Sequence, residues 1–336
     1  MNGSGRKHFL PAGVLPTERI ERTEDGGSHV RQKAPPPAVR RPTVPNVRGQ
    51  TPAEQAQSLV AELRTLEPAQ IGPIIRRLLP LGNFALEEIA KCFPEPLWHA
   101  PLIVGSELPR PDEISATAAA LAAFAHEAVP YLDRLMRLPR QTVRYHAALV
   151  CAAYSHTGLI EPLARAALDE DLDCRRVARH LLNEYRHEPA YQTALGKLRR
   201  QASDASQPSP LRRRAISALT QLRDDASTAL FVELLADLDR GVATASRVGL
   251  RVLTAHELGS SKESWLRWLS ERREQARTEW LIEGLGDGRA NIRLLASREL
   301  WALTRFLEPL SETDERAAFL NVQQRYRRWW AERGRD

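Results

Sequence analysis

The stretch DEDLDCRRVARHLL, residues 169–182, sets an acidic turn ahead of an apolar residue, Cys174, with arginine directly after it and alanine four places on. An apolar residue and a small one at i and i+4 share one helix face, and the small member lets a neighbouring helix approach closely. The acidic residues before Cys174 suit the first turn of a helix, where the macrodipole favours negative charge, better than a calcium loop. The same pairing recurs at Ile114 and Ala118, Val143 and Ala147, Leu211 and Ala215, Val242 and Ser246, and Ile292 and Ala296. Successive copies start 29, 31, 37, 31 and 50 residues apart, a spacing that belongs to stacked repeats. Arginine follows the apolar residue at Arg144, Arg175, Arg212 and Arg293, and aspartate stands five residues before it at Asp169, Asp237 and Asp287, where the chain would turn. Each unit has room for two helices. In the copy at Val143 the first runs through Tyr154, Ser155 to Gly158 turn, and Leu159 to Leu168 form the second. Two such helices cannot bury their apolar stripes alone, so units must stack. Strand-like alternation is absent, and the expected class is all-α.

RQTVRYHAALV (140–150), DEDLDCRRVARHLL (169–182) and GRANIRLLASREL (288–300) resemble the Asp, then Val-Arg-x-x-Ala, then Leu signature of HEAT-like repeats of the short bacterial type, across about residues 112–304. The resemblance implies a right-handed α-solenoid of two-helix repeats whose second helices line a concave face. It implies no activity, because fold does not fix function.

The octet WLRWLSER, residues 265–272, returns as YRRWWAER, residues 326–333. Aligning IEGLGDGRANI (282–292) with VELLADLDRGV (232–242) makes Trp280 to Leu285 an ordinary second helix, which leaves roughly Ser261 to Gln275 as an insertion. Each octet is expected to be an extra helix with an aromatic face, from Trp265, Trp268 and Leu269 or from Tyr326, Trp329 and Trp330. That face either covers the flank and end of the stack, as solenoid ends require, or forms an exposed platform of Trp265, Trp268, Tyr326, Trp329 and Trp330 that stacks a base or planar ligand.

The remaining chain divides at Thr51. Residues 1–50 hold seven of 23 prolines and nine basic against four acidic residues, so +5 of the net charge of +6 lies there. This arm is expected to be disordered, with nucleic acid or another acidic partner as its candidate contact. Thr51, Pro52 and Glu54 read as a helix start, opening an irregular helical unit over 51–111 that ends in a proline-rich loop, with the repeats over 112–336. Cys92, Cys151 and Cys174 fit reduced thiols in a cytoplasmic protein, and no apolar run approaches a membrane span. No phosphate loop, HExxH, CxxC or GxSxG is present. His146, Cys151 and His156, five apart, do not converge on one helix face as metal ligands must. No catalytic residue, metal or cofactor is therefore expected. The reading is a non-catalytic scaffold or adaptor holding a protein partner along second helices, with Glu127, Tyr131, Arg134, Glu161, Arg165, Tyr191 and Lys197 as contacts. The alternatives are nucleic-acid binding, including a relative of HEAT-like DNA glycosylases, with Arg212 to Arg214, Arg199, Arg200, Arg325, Arg327 and Arg328 as phosphate contacts, and a relative of the chromophore lyases that share the repeat.

Overall fold

The computed structural model describes residues 49–98 and 108–333, and among these it contains seventeen α-helices, short 3-10 turns and no strand. All but Gly49 and Gln50 of the basic arm, and most of the proline-rich loop, lie outside the described residues.

Helix α1 (Pro52–Leu63) begins as its cap signals predict: Thr51 Oγ1 accepts Glu54 N at 3.3 Å and Glu54 Oε2 accepts Thr51 N at 2.8 Å. This reciprocal capping box satisfies two amides that the helix start leaves open. Ala56, Leu59, Val60 and Leu63 are buried against α2 (Ile71–Leu78) and α3 (Asn83–Cys92). The short α4 (Pro111–Ile114) then leads into the stack.

The repeats form two rows. One row holds α5 (Ala116–Ala123), α7 (Gln141–Val150), α9 (Leu172–Asn183), α11 (Ser209–Gln221) and α13 (Arg240–Thr254). The other holds α6 (Val129–Leu135), α8 (Ile160–Ala166), α10 (Pro189–Ser203), α12 (Thr228–Leu234) and α14 (Lys262–Glu271). Helices pack closely across the aspartate turns, α8 on α9 and α12 on α13, and so do α10 on α11 and α11 on α13. Along the first row α5 packs on α7, α7 on α9 and α11 on α13, whereas α9 and α11 meet only sparsely. The chain ends with α15 (Arg277–Gly284), α16 (Ala290–Thr304) and α17 (Arg316–Arg333), where α15 packs on α13, α16 and α17. Buried side chains run continuously from α1 to Trp280, and a second cluster around Leu281, Leu300, Phe319 and Tyr326 fills the last units.

The i and i+4 pairs are buried as their spacing predicts, except in α11. There Leu211 is only half-buried and Arg212 takes the interior position, held to Asp237 at 3.2 and 2.5 Å. Small residues do permit close packing: a Cβ on Gly249 of α13 would sit 2.6 Å from the Phe231 ring of α12.

The repeated arginine closes the turns. Arg144, Arg175 and Arg293 each donate from Nη1 to the carbonyls six and five residues earlier, Leu138 and Pro139, Asp169 and Glu170, and Asp287 and Gly288. Arg144 also grips Asp169 in the next aspartate turn at 2.7 and 3.0 Å, as Arg212 grips Asp237. The acidic run before α9 is thereby explained: Asp169 receives Arg144, and Asp171 caps the helix by accepting Asp173 N at 3.0 Å and Cys174 N at 2.8 Å.

Candidate functional site

The residues expected to contact a partner fall on the second row or in the turn before it, where Arg134, Glu161, Arg165 and Lys197 are engaged in ion pairs. Arg134 of α6 meets Glu87 of α3 at 2.9 Å and stacks its guanidinium on Tyr131. Arg165 of α8 meets Asp133 of α6 at 2.5 Å, and Lys197 of α10 meets Glu161 of α8 at 2.6 Å. Lys262 of α14 and Glu233 of α12 continue the series at 2.6 Å. These pairs tie α3 to α6, α6 to α8, α8 to α10 and α12 to α14, each contributing at most about 1 kcal/mol because both partners keep contact with water. Glu127 is half-buried in the 3-10 turn before α6. Tyr191 is the exception that needs correcting: at 3% exposure it is an interior residue of α10, in helical register with Ala194, Leu195, Leu198 and Ala202.

The aromatic platform is also corrected. Trp265, Trp268 and Tyr326 are buried, so they present no face to a ligand. Trp268 lies between His256 and Trp280, at ring distances of 4.8 and 5.2 Å, with Arg272 over its face at 5.0 Å. Trp265 meets Trp268 edge-on and donates from Nε1 to the Gly259 carbonyl at 3.0 Å. The second octet repeats the arrangement. Tyr326 meets Trp329 edge-on at 6.1 Å, and Trp329 stacks on Phe306 at 5.3 Å, Phe306 standing where His256 stands in the first copy. Trp329 and Trp330 stay half-buried. His146, Cys151 and His156 do not converge either: His146 is buried on the Thr142 carbonyl, Cys151 on that of Ala147, and His156 accepts the Gly158 amide. Among the described residues no group of three or more His, Cys, Asp or Glu is placed to hold a metal ion, and no helix is long and apolar enough to cross a membrane.

A cavity of about 480 Å³ opens at the edge of the stack where α9 turns into α10 and α11 into α12, and the start of α15 and the end of α16 close it from the other side. Its apolar wall comes from Tyr191, Leu195, Leu222, Ala302 and Leu303. Its far wall is a buried charge network. Glu299 of α16, 3% exposed, accepts Arg223 at 2.7 and 2.6 Å and Arg277 at 2.8 Å, so it joins α16 to the corner after α11, two units back. Desolvation holds the Arg277 guanidinium below its usual range, against the opposing pull of Glu299. Asp224 is likewise committed, to Arg199 at 2.7 and 2.9 Å and to the Ser227 hydroxyl. What remains toward the opening are the amides of Asn183 and Gln192, the Arg186 guanidinium and the Asp225 carboxylate. Among the described residues neither Arg186 nor Asp225 has an ion-pair partner within 4.0 Å. Sequence reading missed all four. The available signal was Asn183 itself, a polar residue closing a run of interior positions in α9.

No protein-family profile matches the chain, and no curated protein does. Among solved structures the chain is similar to an engineered protein from a structural genomics consortium, at 15% identity and TM-score 0.30 over 74% of this chain and 96% of that one. It is similar to a designed armadillo repeat protein at 15% identity and TM-score 0.27, over 74% of this chain and 100% of that one. Computationally designed armadillo repeat proteins for modular peptide recognition match at 13% identity and TM-score 0.28, over 74% of this chain and 99% of that one. The architecture itself is read from the helix packing: the chain is an all-α stack of helical repeats.

Proposed function

We propose that this stack is of the HEAT-like type and serves as a non-catalytic scaffold that holds a peptide segment of a protein partner in the cavity between the corners after α9 and α11. The observation that carries the reading is the cavity lining. Asn183 and Gln192 each offer a donor and an acceptor, the pattern that a peptide amide matches with its carbonyl and N–H. Ala302 and the exposed Leu303 supply apolar contact, and Arg186 and Asp225 supply charges of opposite sign that set direction and sequence preference. A volume near 480 Å³ is within the range of about 300–1,000 Å³ typical of binding pockets. Glu299, Arg223 and Arg277 hold the walls rigid, which lowers the ordering cost of binding.

Peptides selected from a displayed library on the full chain test the reading. Asn183→Ala and Gln192→Ala should each weaken the selected peptides about tenfold, the loss of one hydrogen-bonding pair. Arg186→Glu should change which sequences are selected. Selected peptides whose affinity is indifferent to all three changes would place binding elsewhere and sink the proposal.

A further inference from the structure

At the opposite ends of α9 and α11 a groove of about 420 Å³ is lined by Arg175, Arg179, Arg213 and Arg214, with Glu170 as its lone acid. Arg179 forms its buried floor, 5% exposed. It donates to the carbonyls of Ala167 and Arg214, to Ser217 Oγ and to Gln221 Oε1, at 3.1, 3.2, 3.2 and 2.9 Å. All four acceptors are neutral, so a full positive charge is held inside with no carboxylate against it, a state that proteins ordinarily avoid. Burial, and then the charge of Arg175, push this guanidinium down to about 9, so it stays protonated at neutral pH.

The excess charge follows from a break in the repeat. Arg144 and Arg212 are neutralised by an aspartate 25 residues further on, Asp169 and Asp237. The corresponding place after Arg175, five residues before Leu211, holds Ser206. Arg175 is left with the carbonyls of Asp169 and Glu170, and Arg214 with those of Pro210 and Leu168. Arg213 is exposed and, among the described residues, makes no ion pair within 4.0 Å, with Asp239 at the start of α13 close enough to feel its charge.

We infer that this groove is a binding site for a phosphate group, free or as a monoester, with Arg213 and Arg175 gripping the phosphoryl oxygens above the fixed charge of Arg179. A carboxylate brings one negative charge and two oxygens. A phosphomonoester brings about −1.5 to −2 and three acceptor oxygens, which suits several planar guanidinium forks. The site is separate from the peptide cavity, and each can be tested without the other.

Calorimetric titration of the full chain with inorganic phosphate, and with a short Gly-Ser peptide carrying or lacking one phosphoserine, tests the site at constant ionic strength set by chloride. Saturable binding of phosphate or of the phosphoserine peptide is expected, with the unmodified peptide inert. Phosphate binding as strongly as the peptide identifies a free anion as the occupant, and a tighter peptide identifies a phosphorylated chain; both support the site. Arg213→Gln should weaken binding at least tenfold, and Arg213→Glu should abolish it, while the melting temperature without ligand stays as in the parent, because Arg213 is exposed. No heat beyond the chloride control, or equal binding by the parent and Arg213→Glu, overturns the inference.

Discussion

Replacing Glu299 with alanine tests whether the last units are fastened to the rest of the stack through one carboxylate. In the parent, Glu299 is 3% exposed, Arg277 8% and Arg223 22%. Removing one member of a buried ion pair costs about 3–5 kcal/mol, because the abandoned charge stays desolvated. Arg223 keeps the carbonyls of Thr220 and Gln221 and is exposed enough to turn toward water. Arg277 keeps only the Leu253 carbonyl at 2.9 Å, so the penalty falls mainly on it and the lower end, about 3 kcal/mol, applies. In proteins of 150–250 residues 1 kcal/mol shifts the melting temperature by about 2–4 °C, so for this longer chain a fall of about 6 °C is expected. Circular dichroism at the helical band reads that fall. Amide hydrogen exchange reads its location: α15 to α17 should lose protection while α5 to α9 keep theirs, since stacked units unfold from an end. A loss below about 1 kcal/mol, the scale of an exposed pair, or protection lost evenly along the stack, would refute the fastening role.

Gly249→Ala should cost about 1–3 kcal/mol in chemical denaturation, as overpacking does, since the added methyl would press on Phe231 at 2.6 Å and Thr220 at 2.8 Å; no loss would mean that α12 and α13 separate freely. The hydrogen bond from Arg212 holds the Asp237 carboxyl below its usual range, so its stabilisation is present above about pH 4 and lost as pH falls through the folded value. Asp237→Asn should therefore be about 1.5–3 kcal/mol less stable at pH 7, and its stability should decline less than the parent's between pH 4 and 2, by urea titration. Burial depresses His256, so the unfolded chain takes up its proton first and stability falls as pH drops below about 6.5. His256→Phe, the residue that the second copy carries, should reduce the slope of the urea midpoint between pH 7 and 5, while the slope from His146, which burial also depresses, persists; an unchanged slope would count against it.

The repeated units were legible because burial imposes a period: an apolar residue at i with a small partner at i+4 marks a helix whatever it packs against. The cap at Thr51 and the helix bearing Trp265 were equally local signals. Tyr191 was legible too, since its spacing from Leu195 and Leu198 places it inside. It was named as a contact for being an aromatic residue on a second helix, and that register was not weighed. The edge cavity was not legible. It depends on Glu299 meeting Arg223, 76 residues away, and such a contact is set by how units accumulate curvature, for which a local pattern carries no sign. The arginine groove was half legible. Arg213 and Arg214 stood out as a basic run, but only the structure shows Arg179 buried without a carboxylate.

The two octets lie 61 residues apart, whereas the helices before them, α13 and α16, lie 50 apart. Of the eleven extra residues, four lengthen the link, which grows from seven residues before α14 to eleven before α17, and seven lengthen the helix itself, because Trp265 is the fourth residue of α14 and Tyr326 the eleventh of α17. Seven residues turn a helix through about 700°, within about 20° of two full revolutions. Helix α17 therefore extends roughly 10 Å further along its axis and gains Phe319, Val322 and Gln323 as buried contacts, while Tyr326 and Trp329 keep the azimuth that seats them on Phe306. Growth by five or nine residues would have rotated those rings by about 140° or 180°, so the helix could lengthen only in steps close to a whole number of turns.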